Sequence, residues 1–480
     1  MLKTPPTWRA LLHLCAFAQV GVLFRLSIAK LFAGPCLARN PQGRCVTAPA
    51  LSRCSGALFA DFPANVVGSF IIGLLSSGSA LSAALPTADI HPDVGDHHLS
   101  FLPADWALQR HGALHLGLRT GLCGSLTTFS SWILQVGVVV MMVGRGLPPA
   151  GTGAAGGAGT EWVGALWALY LGVCGPLTAL AAGQHAALAA AAALVAARGA
   201  AKQLSDAAAA AAVEAADGAE ADHHTPPSAR QDATAAGLPL AAAAPDPAAA
   251  AAAAATPPNG TAHVAIGTSA AAAAPAAAAL PPSAASAPVY RYLADAFAAA
   301  VLLVLTTVSL VYLIRGDSTS AAADVATTLP TSIPSPAAAA AAYRFWWFAI
   351  LSGPAGCVLR WYLAPLNAAP ASWRLLGGGW GWLQLGTLTA NLLACCLNFV
   401  AAALLLRLSG RLSVTQVAVL EGLMAGAAGS LSTVSTWVVE LQKLSLSPSP
   451  SAAYKYGTVS IVAATALGLL VYGLPAWTQP

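Results

Sequence analysis

Nine apolar stretches follow one another along this chain, near 10–33, 57–82, 115–143, 161–186, 292–314, 344–366, 376–407, 415–442 and 453–476. A bilayer core needs roughly 20 apolar residues per helical crossing, and backbone inside it must satisfy its own hydrogen bonds. The pattern therefore predicts an all-α polytopic membrane protein. Composition agrees, with 57% hydrophobic and 8% charged residues and a mean hydropathy of +0.67; soluble domains carry about 25% charge. The net charge of +4 comes from scattered Lys and Arg, with no basic stripe of the kind that binds nucleic acid. No nucleotide-binding loop, catalytic triad or HExxH is present, so the chain is not expected to be an enzyme. The nine cysteines form no CxxC pair and do not identify a redox compartment. His91, Asp93, Asp96, His97 and His98 crowd one loop without metal-ligand spacing and read as a solvated turn.

The turns between stretches are mostly short. The exception is 187–291, rich in Ala and Pro, which reads as a low-complexity linker, disordered or partly helical. The remaining stretches group as four, one, four, and the two sets of four match in order. Gly21 and Arg25 stand like Gly356 and Arg360, both as G-x-x-x-R. The run FPANVVGSF (62–70) stands like LTANLLACC (388–396), with Asn65 answering Asn391 and Gly68 answering Ala394. GSLTTFSSW (124–132) answers GSLSTVSTW (429–437). This is an internal duplication. Four crossings return the chain to its starting side and the fifth carries it over, so the second set runs inverted, as in many transporters. The expected organisation is a repeat over 1–186, the linker, an inverting helix over 292–314 and a second repeat over 344–480. Charge does not decide orientation, because Lys30, Arg39, Arg44 and Arg53 fall on the nominal outside.

The strongest chemical signal is the Gly-Ser-Leu-Thr/Ser-Thr-x-Ser-Thr/Ser-Trp run inside the third and eighth stretches. Gly and clustered hydroxyl residues make poor helix interior. In lipid a broken helix is tolerated only where its freed backbone faces protein or a polar cavity. Two copies at matched positions favour a functional break over the close packing that small residues also permit. Asn65 and Asn391 each offer two N–H donors, which suits an anion shedding water; an interhelical hydrogen bond is the other reading. Arg25 and Arg360 are functional by default inside a membrane, unless they snorkel to an interface. Glu421 and Glu440 flank the eighth stretch near its ends, where interfacial placement costs little.

These features together, with GPAGCVLRWYLAPLN (353–367) and YKYGTVS (454–460), resemble the fluoride exporters. That family comprises the bacterial Fluc or CrcB channels and their eukaryotic FEX relatives. The resemblance covers 1–186 and 292–480, and the 4+1+4 plan is similar to the eukaryotic form, in which two inverted halves are fused. It implies a passive, fluoride-selective channel in the plasma membrane, working as a single fused chain with fluoride and the lipid bilayer as its partners. It also implies a structural Na⁺ held by the backbone carbonyls of Gly124, Thr127, Gly429 and Ser432. The pore residues it implies are Asn65, Asn391, Phe129, Trp132 and Trp437, with Thr387, Tyr456 and Ser460 in the second half. The electropositive edge of an aromatic ring such as Phe129 can face an anion without trapping it.

The chain departs from the family pattern at several positions. Val434 stands where the family has Phe, and Asp61 stands where the second half keeps Thr387. Leu166 and Tyr170 stand where the second half has Tyr456 and Ser460. The expectation is one working pore built from Phe129 and the Asn391 track. A secondary transporter of a small solute, which would show the same repeats and breaks, is the alternative.

Overall fold

The computed structural model describes residues 7–37, 47–48, 58–76, 99, 111–144, 158–223, 287–317, 344–368, 380–408 and 411–478. The loop at 91–98 and most of the linker lie outside the described residues. Apart from a two-residue parallel pairing of Thr47–Ala48 with Leu58–Phe59, the regular structure of the described residues is helical. In chain order the helices are α1 (Thr7–Leu37), α2 (Phe62–Leu75), α3 (112–126), α4 (Phe129–Gly144), α5 (Ala158–His223) and α6 (Ala287–Asp317). The second set follows as α7 (Arg344–Leu363), α8 (Leu385–Arg407), α9 (414–431), α10 (Ser435–Ser445) and α11 (451–477). Among the described residues, six helices or helical runs are long and apolar enough to cross a membrane: Thr7–Phe32, Val163–Ala210, Tyr292–Ile314, Leu385–Arg407, Val414–Ser445 and Ser451–Gly473; Phe62–Leu75 is a shorter apolar helix. The chain is thus a helical, polytopic membrane protein. α5 continues well past the apolar stretch, so the start of the Ala-rich segment to His223 is helical. Alanine, the best helix former, supplies the reason.

Close helix packing is carried by glycines in place of large side chains. A Cβ on Gly73 would meet the backbone of Leu180 and Gln184, and one on Gly183 would meet Phe70 and Leu74. Between helices in lipid, such small residues let backbones approach and gain dispersion contacts that hydrophobic burial cannot supply. The glycines of the two G-x-x-x-R motifs do the same work. Gly21 lies against Leu122 and Leu126 of α3, and Gly356 lies against Ala427 and Leu431 of α9.

The single helix α6 is fastened to α1 by polar groups. Asp295 forms an ion pair with Arg9 (2.9 Å) and bonds to His13 Nε2 at 3.0 Å, with His111 Nε2 at 3.4 Å. One side-chain bond, Gln19 to Thr306 at 3.0 Å, follows further along. His13, His111 and Asp295 have the make-up of a metal site, but His111 Nδ1 accepts the Leu114 N–H at 3.0 Å. Its Nε2 therefore carries the proton in the neutral ring, 3.4 Å from Asp295, which leaves no lone pair there for a metal.

Replacing Gly183 by Leu should force α2 and α5 apart and cost about 1–3 kcal/mol. Thermal unfolding of the purified chain in detergent measures it, against Ala196→Leu as a change at an exposed position of the same helix, away from that contact.

Candidate functional site: two broken helices that complete each other

α3 stops at Leu126 and α9 at Leu431, and Thr127 (ψ 147°) and Ser432 (ψ 158°) are extended. Each stop is preceded by a π-helical stretch, Gly117–Cys123 and Met424–Ala428, of the kind often found at functional positions. The chain resumes as α4 and α10. Each break exposes backbone donors and acceptors that no water in a lipid core would satisfy. All the hydroxyl residues of the two breaks from Thr127 to Ser130 and from Ser432 to Ser435 are buried.

The partners come in matched pairs. Asn65 Oδ1 accepts the Thr128 N–H at 2.8 Å and its Nδ2 donates to the Thr128 carbonyl at 3.1 Å. Asn391 does the same to Thr433, at 2.8 and 3.3 Å. Both amides are buried, and each clamps the N–H and C=O of one residue of the break in its own repeat. One N–H of each amide is used in this way.

The breaks also serve each other. Thr127 Oγ1 accepts the Ser435 N–H at 3.1 Å and the Val434 N–H at 3.3 Å, capping the start of α10. Ser432 Oγ accepts the Ser130 N–H at 3.2 Å and lies 2.9 Å from the Ser130 hydroxyl, capping α4. Each helix start is therefore capped by a hydroxyl from the opposite repeat, which meets the demand of orphan N–H groups at a helix N-terminus.

The arginines cross over as well. Arg25 donates to the Ala425 carbonyl. Arg360 donates to the carbonyls of Thr120, Gly124 (2.7 Å) and Ser432 (3.1 Å). Both guanidinium groups are buried instead of reaching the interface. A Cβ on Gly124 would strike the Arg360 guanidinium, and one on Gly429 would strike that of Arg25. The G-x-x-x-R spacing now has a physical reason. Its Gly packs within one repeat, and its Arg, one turn on, reaches the break of the other.

Around this centre the two sides differ. Phe129 is fully buried and edge-on to Trp132 (centroids 5.4 Å apart) and Trp437 (5.5 Å). On the second-repeat side, Thr387 Oγ1 and Asn367 Nδ2 donate to Glu440 Oε1 at 2.6 and 3.0 Å, and the Tyr456 hydroxyl donates to Oε2 at 2.8 Å. Trp437 Nε1 donates to Ser460 at 3.3 Å. On the first-repeat side, Leu166 and Tyr170 are 62% and 57% exposed, whereas Tyr456 and Ser460 are buried. Trp132 Nε1 donates to the Ala168 carbonyl at 3.0 Å, and its indole fills the space against Gly172. Asp61 comes at the N-terminus of α2.

Sequence reasoning missed Glu440 and Asn367. Glu440 reads as interfacial because it comes late in its stretch, yet it gathers three of the polar side chains on this face. The signal available was its place three residues after Trp437, on the same helix face.

The family model described as CrcB-like protein, Camphor Resistance (CrcB), matches residues 12–173 and 347–474, together more than half of the chain. Among curated proteins, Fluoride export protein 1 of Candida albicans is 36% identical over 142 residues, covering 28% of this chain and 33% of that protein. Fluoride export protein 1 of Neurospora crassa is 35% identical over 135 residues, covering 28% of this chain and 22% of its own length. The alignments thus span a third or less of these relatives. No solved structure matches.

Removing either crossed cap, by Thr127→Val or Ser432→Ala, should cost about 0.5–2 kcal/mol. The two hydroxyls sit in separate clusters but hold adjacent residues of the same two breaks, Thr127 bonding Thr433 and Ser432 bonding Thr128, so the double variant should depart from additivity by at least about 0.5 kcal/mol. A double-mutant cycle on thermal or denaturant unfolding in detergent is the check.

Proposed function

The chain belongs to the CrcB-like family, and on that premise we propose that it is a passive, fluoride-selective channel of the plasma membrane that lets fluoride leave the cytoplasm and confers fluoride resistance. The name of the two relatives, Fluoride export protein 1, supports the choice of ion. The observation that carries the reading is the buried run of small neutral donors beside the breaks: Asn391, Thr387, Tyr456 and Ser460, all 4% exposed or less. Fluoride is compact and holds its water tightly, so it must be met by hydroxyl and amide donors as it dehydrates. Conduction requires weak sites in series. Fluoride that enters as neutral HF ionises inside, and a negative interior drives the anion out by about 2.3 kcal/mol per 100 mV.

The proposed architecture is nine crossings in two inverted repeats joined by α6. Its support is the pairing of equivalent contacts: Asn65 with Thr128 and Asn391 with Thr433, Arg25 with Ala425 and Arg360 with Thr120. A single chain thereby supplies both halves of the site.

A central Na⁺ fits the residues present. It would be held by the carbonyls of Gly124, Thr127, Gly429 and Ser432, uncharged oxygens of the kind hard cations prefer. The breaks abut, with Thr127 Oγ1 3.3 Å from Thr433 Oγ1 and Thr128 Oγ1 3.1 Å from Ser432 Oγ. Arg360 already bonds Gly124 and Ser432, and a carbonyl oxygen has a second lone pair for the ion. Bound there, the ion supplies a fixed positive charge that ties one break to the other.

We place the conducting path on the second-repeat side, with Phe129 lending its edge from the first. Asn65 is not thereby idle. It clamps Thr128 as Asn391 clamps Thr433, so a change at Asn65 disturbs the break before it reports on conduction.

A secondary transporter remains the second reading, because Glu440 is the acid that a proton-coupled mechanism would use. Flux from liposomes containing the purified chain separates the two. The expected result is fluoride efflux that needs no proton or sodium gradient, with no chloride efflux. Chloride flux equal to fluoride flux, or fluoride flux that vanishes without a gradient, would sink the channel reading.

Within the channel, Thr387→Val and Tyr456→Phe should each lower fluoride flux by roughly tenfold, the scale of one lost hydrogen bond to an ion. Tyr170→Phe in the first repeat should leave it unchanged. Equal loss from all three, at equal expression, would mean that both sides conduct.

A further inference from the structure

Resting on the fluoride-channel reading, we infer that Asn398, with the hydroxyls of Ser130 and Ser432, forms a second fluoride-binding station beyond Asn391. Asn398 follows Asn391 by seven residues on α8. Seven residues make two turns less about 20°, so both amides share one helix face, about 10 Å apart along the axis. Thr387 lies one turn earlier on that face. All three are buried, at 4%, 1% and 1% exposure. The helix thus carries a polar stripe of three donors through an otherwise apolar crossing, which costs free energy unless it has a use.

The surroundings of Asn398 are made of donors. Its Nδ2 lies 3.0 Å from the Ser130 hydroxyl, which is 2.9 Å from that of Ser432; Thr128 Oγ1 is 3.1 Å from the Ser432 hydroxyl. Among the described residues, Asn398 Oδ1 is buried and has no hydrogen-bond partner. A buried, unpaired polar atom in a native structure requires an explanation, and a bound ion or water is one. Asn391 differs here, since both ends of its amide are engaged by Thr433.

An amide can turn end for end, and the assignment of its oxygen and nitrogen follows from the network around it. Ser130 can donate as readily as it accepts. Turning Asn398 therefore keeps the Ser130 bond and swings the two N–H groups into the place where Oδ1 stands unpaired. An arriving anion stabilises that orientation. The station is neutral and adjustable, the kind of site that lets an ion enter and leave.

The duplication shows that the amide is not needed to build the repeat. By the register that pairs Asn65 with Asn391, the counterpart of Asn398 is Ile72, a buried apolar side chain. The amide occurs only on the side where Thr387, Tyr456 and Ser460 also occur.

The test uses the full chain, purified and reconstituted in liposomes, with fluoride efflux and detergent melting measured together. Asn398→Leu removes an unpaired buried acceptor and also the Nδ2 bond to Ser130, so a purely structural role predicts that melting and flux fall together. The inference predicts unchanged or higher melting with flux lowered by at least about tenfold. Asn398→Ser, which keeps one donor, should fall between this variant and the wild type. Should Asn398→Leu fail to fold, Asn398→Ser against Ser130→Ala decides, both being expected below wild type. Flux within about twofold of wild type in the folded variants would overturn the station while leaving the channel standing. A wild-type chain that passes no fluoride overturns the reading beneath it.

Discussion

A helix cannot be interrupted in lipid unless every freed N–H and C=O finds a partner. This protein interrupts two helices at its centre and satisfies each largely from the other. Hydroxyls of one break cap the helix that restarts after the other. Arginines cross between repeats to take the released carbonyls. The rest of the architecture serves this exchange. Glycines bring α1 against α3 and α7 against α9, so that an Arg one turn further on has the reach to cross. The amides of Asn65 and Asn391 hold each break in shape from within its own repeat.

Two nearly equivalent halves do not make two equivalent sides. On the second-repeat face Thr387, Asn367 and Tyr456 converge on Glu440. At the matching position the first repeat has Gln135, whose Oε1 accepts the Ala60 N–H at 3.2 Å, and Trp132 packs into the space left by Gly172. Duplication supplies two copies of the backbone device, and divergence has kept a polar lining beside one of them. The same asymmetry holds at the position matching Phe129, where the second repeat has Val434 and Phe129 presents its ring to Trp437 from the other side.

Much of this was legible in the sequence. Helical crossings follow from hydropathy alone, and the breaks follow from a Gly and hydroxyl run that resists helix formation and occurs twice. Asn65, Asn391, Arg25 and Arg360 stand out because polar groups in apolar runs are costly. Their partners did not stand out. That Arg360 bonds Gly124, 236 residues away, depends on how the repeats dock, and no local period encodes docking. Glu440 and Asn398 were hidden for the opposite reason, since their counterparts in the first repeat are Gln135 and Ile72, and comparison of the copies passes over positions that differ. The Asp295 fastening of α6 was hidden likewise, because its partners Arg9, His13 and His111 lie far away in sequence.

The crossed caps also impose a timetable. Ser130 and its cap Ser432 are 302 residues apart, so at about 5–20 residues per second the first break waits roughly 15–60 s on the ribosome for the residue that completes it. During that interval the newborn amino-terminal half holds an unfinished helix start in the membrane. Until the second half arrives that helix start lacks the hydroxyl that caps it, and a chain that stops short of Ser432 never receives it.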